Sequence, residues 1–223
     1  MVDDDASDDA RGDAAPAPTA AERAIRAAAE AGQWREAATA TLTAYGEEIL
    51  GYLVALTRDQ VRADEAFSIF LENLWRGLPR FGWRSSMRTW AYVLARHAAH
   101  RQGRSPYHKR AQPLDPVIEA LAAPLRTQTA SYLQTEQRDR LAAIRAELAP
   151  DDQTLLILRV GRGLAWRDIA QVLAGGGDGD GEDSPDEAAP LPAPEVTRRA
   201  AALRKRFERL KSDLKARLAS APA

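Results

Sequence analysis

Residues 63–101 read ADEAFSIFLENLWRGLPRFGWRSSMRTWAYVLARHAAHR, and two helices can be laid on them from spacing alone. Ala63, Phe67, Phe70, Leu71 and Leu74 recur at steps of three and four, the period of a helix with one buried stripe. Gly77 and Pro79 stop that helix, which is expected from about residue 60 to residue 76. Ser85 or Ser86 supplies an oxygen to cap a following helix that reaches about residue 101. From residue 75 to residue 101 there are five aromatic residues and six arginines, but no Asp or Glu. Clustered bases with no acid among them are the electrostatic footprint expected for a polyanion, most often nucleic acid.

Upstream, the same three-and-four period predicts a short helix over residues 21–31, a break at Gly32, and a helix over 34–57. Leu42, Tyr45, Ile49, Tyr52, Leu53 and Leu56 form the buried stripe of the longer one. Downstream, prolines at 106, 113, 116 and 124 mark a linker over 105–127. Periodicity returns over 128–148 with Leu141, Ile144 and Leu148. Pro150 then starts a helix, with Asp151 and Asp152 in the first turn where the helix dipole favours acids. Gly161 and Gly163 end it, LAWRDIAQVLA gives a short helix up to Gly175, and a last helix spans about 196–218. Strand-like alternation of β-branched residues is missing, so the fold class is all-α. Two small helical domains are expected, over 21–104 and 128–219, joined by the flexible linker.

The 223 residues include no cysteine, which excludes disulfide frameworks, thiolate zinc sites and cysteine nucleophiles and suits a reducing cytosol. No apolar run approaches the roughly 18 residues of a membrane span, and the start is acidic where a signal peptide would be basic and then apolar, so a soluble, cytoplasmic protein is expected. The formal net charge of -1 conceals a strong division. Residues 1–20 hold six Asp and one Arg, and residues 175–195 (GGGDGDGEDSPDEAAPLPAPE) hold seven acids and no base, which leaves +11 on the rest. Both acidic segments are read as disordered, the first a leader and the second an insertion. The bases concentrate in residues 75–110, with nine Arg and Lys and no acid, and in 196–223, with nine against Glu208 and Asp213.

The last helices carry a second pattern. Leu164, Ile169, Ala170 and Leu173 place a small residue, Ala170, where another helix must cross closely. The last helix turns Leu203, Phe207 and Leu210 inward with Arg204, Lys205 and Arg206 beside them, as in a helix-turn-helix. A solvated basic face is the plainer reading of that helix.

Taken together, residues 63–101, LAPDDQTLLILRVGRGLAWRDIAQVLA from Leu148 and AALRKRFERLK from Ala201 resemble an extracytoplasmic-function sigma factor of the sigma-70 family. That resemblance covers about two thirds of the chain and implies a region-two domain, a linker and a region-four helix-turn-helix. It further implies a non-enzymatic subunit that binds core RNA polymerase through the β′ clamp helices and β flap, and recognises promoter DNA. An anti-sigma factor is a further partner known to the family. On the matching positions, Trp83, Arg84, Arg88, Tyr92 and Arg96 are candidates for the opened minus-ten strand. Arg88, Tyr92 and Arg96, at i, i+4 and i+8, are expected to make one continuous DNA-facing stripe. Arg204, Lys205, Arg206 and Arg209, with Arg198 and Arg199 on phosphates, are candidates for the minus-thirty-five duplex. Asp64, Phe67, Phe70 and Glu72 are candidates for the polymerase surface.

The chain departs from the family pattern where Gln and an acid usually precede Phe. Phe67 and Ser68 stand there, which implies a more apolar polymerase contact. A second departure is the acidic insertion of about twenty residues in place of a short turn. Trp90, Trp75 and Trp34 are expected in the core, whereas Trp83, in a loop, is open between packing and base contact. No cofactor and no metal are expected, because His97, His100 and His108 lack a neighbouring carboxylate at ligand spacing. The alternative function is a helix-turn-helix DNA-binding regulator that is not a polymerase subunit, which would leave the first domain without a task.

Overall fold

Side-chain oxygens and tight turns set the helix boundaries in the first unit. Thr19 accepts the amide of Glu22 through Oγ1 at 3.1 Å and opens α1 (Ala20–Glu30). Gly32 turns the chain at φ +72, a conformation that costs glycine nothing, into α2 (Trp34–Thr57). That helix ends at Arg58, left-handed at φ 55, whose N–H returns to the Val54 carbonyl. Asp59 then caps α3 (Gln60–Gly77) by accepting the Arg62 amide at 3.0 Å. Pro79 fits the short 3-10 turn Leu78–Arg80, and α4 (Met87–Arg104) follows the loop 81–86. The first three helices lie within one residue of the expected bounds, and α4 runs three residues past its expected end.

This is a computed structural model, and it describes residues 17–104, 116, 119–120, 122–125, 148–174 and 191–220. The bulk of the acidic leader and insertion, most of the expected linker and the expected helix over 128–148 lie outside the described residues. The described helices fall into two units, α1–α4 with residues up to 125 in one, and those from 148 onward, up to 173 and again from 191, in the other. All regular structure among the described residues is helical.

In the first unit α1 packs on α2, while α2, α3 and α4 pack on one another. The core is built from Ile25 of α1, Leu42, Ile49, Leu50, Tyr52 and Leu53 of α2, Phe67, Phe70, Leu71 and Leu74 of α3, and Met87, Trp90 and Leu94 of α4. Each large apolar side chain buried this way stabilises the fold by about 1.5–3 kcal/mol. The apolar stripes expected for α2 and α3 are those buried, except that Leu56 is partly exposed. Beyond α4, Ala122 is buried and Leu125 reaches α2 at Gly46, where an added Cβ would meet Leu125 Cδ1 at 2.6 Å. Glycine is therefore what lets this segment approach α2.

The second unit holds α5 (Pro150–Leu156), a π-turn (Ile157–Gly161), α6 (Trp166–Ala174) and α7 (Ala193–Ser220). Pro150 stands in the first turn with Asp151 and Asp152, as the sequence implies. Val196, Ala200, Phe207 and Leu210 make the buried side of α7, with Leu203 half-buried among them. Phe207 meets Trp166 of α6 edge to face at 5.4 Å, and Leu164, Ile169 and Ala170 are buried on the α6 side.

Candidate nucleic-acid interface

The acid-free run forms the end of α3, the loop 81–86 and most of α4. Its rings are stacked in order rather than scattered. Trp90 is buried on α4, and Phe81 lies flat against it at 4.5 Å and 20°. Trp83 tilts onto Phe81 at 4.9 Å, and the Arg26 guanidinium of α1 sits over the Trp83 ring at 5.5 Å. Trp83 takes φ 54, a left-handed backbone that is costly for a bulky residue and persists only where its surroundings hold it. Arg76, Arg80 and Arg84, which lie before and between these rings in sequence, are exposed. Trp83 itself is half-buried, so the loop tryptophan left open by the sequence is both packed and reachable.

The first turn of α4 is tied down from two directions. Ser86 Oγ accepts the Thr89 amide at 3.0 Å, which settles the choice between the two serines as cap. The Glu22 carboxylate of α1, itself buried, accepts the amides of Met87 and Arg88 at 3.0 Å each and the Tyr45 hydroxyl at 3.0 Å. Two helix-start N–H groups, which have no carbonyl to reach within their own helix, thereby donate to a carboxylate on another helix. Burial first, and the charges of Glu22 and Glu48 with it, push the Tyr45 hydroxyl up to about 12, so it stays a donor.

The expected stripe of Arg88, Tyr92 and Arg96 does share one face of α4, but that face is turned largely into the fold. Tyr92 is fully buried, edge to face with Tyr52 at 5.3 Å, and Arg96 is buried as well. Arg88 stands at the rim, bidentate to Glu48 of α2 at 2.7 and 3.0 Å and over the Tyr92 ring. The Glu48 hydrogen bond raises the Arg88 pKa further above its ordinary value. Next to Arg96, His97 is held down to about 4 by burial first and by the Arg96 and His100 charges second, so it is neutral at pH 7. The continuous exposed stripe is thus corrected to an exposed group, Arg84, and a rim group, Arg88, over a buried base.

The polymerase candidates divide similarly. Phe67 and Phe70 belong to the apolar stripe of α3 and are buried, stacked at 5.6 Å, so the more apolar surface inferred from Phe67 does not form. Asp64 and Glu72 are partly exposed, Asp64 accepting from Gln60 at 3.0 Å and Glu72 lying 3.9 Å from Arg76. Trp90 is in the core as expected, whereas Trp34 and Trp75 are only partly buried.

On α7, Arg198, Lys205 and Arg209 are exposed, at steps of seven and four along one face. Arg199 is exposed but paired with Glu195 at 2.9 Å, Arg204 is half-buried, and Arg206 is bound to Asp152 of α5. That hydrogen bond raises the Arg206 pKa. Sequence reading missed Glu22, Arg26, Glu48 and Asp152 as partners of the loop, of α4 and of α7. Only Asp152 gave any signal, and it was read as a dipole residue. Among the described residues no group of His, Asp and Glu could hold a metal ion, and no helix is long and apolar enough to cross a membrane.

Residues 41–107 match the family model described as Sigma-70 region 2, a span that takes in most of α2, all of α3, the loop 81–86 and α4. No curated protein and no solved structure matches the chain.

Proposed function

We propose that the protein is a sigma factor of the sigma-70 family, of the extracytoplasmic-function group, acting in the cytoplasm as a non-enzymatic subunit that gives core RNA polymerase its promoter choice. The observation that carries this reading is the coincidence of the region-two match with the stacked, acid-free loop between α3 and α4. An opened DNA strand offers phosphates to Arg76, Arg80 and Arg84 and a base to the Trp83 ring, where stacking on an aromatic is worth about 1–3 kcal/mol per base. Such an interaction exists only once the duplex is open. Capture of the strand therefore stabilises the melted state over the closed one.

In this reading Arg88 contributes at the rim, and Tyr92 and Arg96 support the site from beneath. The partly exposed side of α3, with Asp64 and Glu72, faces the polymerase clamp. Arg198, Lys205 and Arg209 of α7 meet the minus-thirty-five duplex directly, with Arg199, Arg204 and Arg206 beside them. Co-purification of the full chain with core RNA polymerase at low salt tests the assignment. Stable stoichiometric association is expected, and failure to associate would remove polymerase partnership and leave a plain DNA-binding regulator.

A further inference from the structure

The helix α1 lies outside the segment that matches region two, yet it supplies two of the groups that define the candidate loop. Glu22 is only 9% exposed and spends its carboxylate on the Met87 and Arg88 amides and the Tyr45 hydroxyl. One turn further along α1, the Arg26 guanidinium lies over the Trp83 ring and is itself steadied by Glu30 at 2.8 Å. Trp83 within the loop and the first turn of α4 after it are thus both contacted from one helix, Glu22 reaching Met87 across 65 residues of sequence. A left-handed tryptophan does not hold its shape unaided, so something must supply the restraint.

We infer that Glu22 is a positioning residue for strand capture: its carboxylate fixes the first turn of α4, and through it, together with Arg26 above Trp83, the conformation of loop 81–86. This rests on the sigma-factor reading for its function, but its geometry does not. A carboxylate is required rather than any polar group, because two amides and a hydroxyl converge on its two oxygens.

The test is Glu22→Gln in the full chain, which keeps the side chain's size but sets an NH2 group against one of the donors. Amide hydrogen exchange at Met87 and Arg88 should accelerate by about tenfold or more, the value of one charge-assisted hydrogen bond, while the amides of α2 and α3 keep their protection. Unchanged exchange at those two amides would overturn the inference. In holoenzyme, on a promoter found by start-site mapping with the unaltered chain, Glu22→Gln should bind core normally. It should lose open complexes by about tenfold on duplex DNA and also on DNA already mismatched at the minus-ten element, since both need capture. Tyr45→Phe should act in the same direction and more weakly. Parallel loss of core binding, or full activity on both templates, would overturn the inference by making Glu22 a fold support or a bystander. If the unaltered chain fails to bind core, the sigma reading fails and strand capture falls with it, while the exchange data still decide whether Glu22 caps α4.

Discussion

Arg88 should matter more to the fold than to DNA, and a double-mutant cycle with Glu48 measures how much. The pair is bidentate at 2.7 and 3.0 Å, with side chains 33% and 24% exposed, between the limits of a surface ion pair and a buried one. Surface pairs are worth about 0–1 kcal/mol, and breaking a buried pair costs about 3–5 kcal/mol. For this geometry the coupling between Arg88→Ala and Glu48→Ala should be about 1–2 kcal/mol, reduced but not abolished by 1 M salt. Urea unfolding of the full chain reports it through tryptophan emission, to which Trp34, Trp75, Trp83 and Trp90 contribute from the first unit and Trp166 from the second. Glu48→Gln sharpens the result, because it releases the guanidinium without removing it: stability should fall while affinity for single-stranded DNA is kept or rises. A coupling near zero, or a loss of strand affinity in Glu48→Gln equal to that in Arg88→Ala, would refute the placement of Arg88 as a rim group held by α2.

His97 binds its proton more weakly folded, at about 4, than unfolded, at 6.5, so its contribution to stability is present above pH 6.5 and is lost as pH falls toward 4. Comparing unfolding of the native chain with that of His97→Gln between pH 7 and 4 should isolate a difference of up to about 3 kcal/mol, and parallel curves would contradict its burial. On α7, Lys205→Ala should leave stability unchanged and lower the salt slope of duplex binding by about 1. Arg206→Ala should instead destabilise the second unit by about 1 kcal/mol, because it loses Asp152. Identical behaviour of the two variants in salt titration and in unfolding would show that exposure does not separate their roles.

The helices were legible because their signals are local. Ser86 caps, Gly32 and Pro79 interrupt, and the stripes of α2, α3 and α7 repeat at three and four. The site was legible only as a composition. Periodicity correctly put Arg88, Tyr92 and Arg96 on one side of α4, but it says nothing of which side faces water when a helix is wrapped nearly all round. Residues 89–96 of α4 are all buried. The same limit placed Phe67 and Phe70 in both the core stripe and the polymerase surface until packing decided. Glu22 and Glu48 left no trace because their partners lie 65 and 40 residues away, and an acid in an alanine-rich helix looks like any solvated residue.

The central claim is that this chain directs initiation by trapping an opened strand at the loop 81–86. Reconstituting it with core RNA polymerase on a library of duplex promoter fragments, and mapping transcript starts with and without Trp83→Ala, tests that claim most directly. Defined starts downstream of one shared upstream sequence pair are expected, with a deficit in Trp83→Ala equivalent to about 1–3 kcal/mol of lost base stacking. Starts that do not depend on the added chain, or that survive Trp83→Ala unchanged, would contradict it.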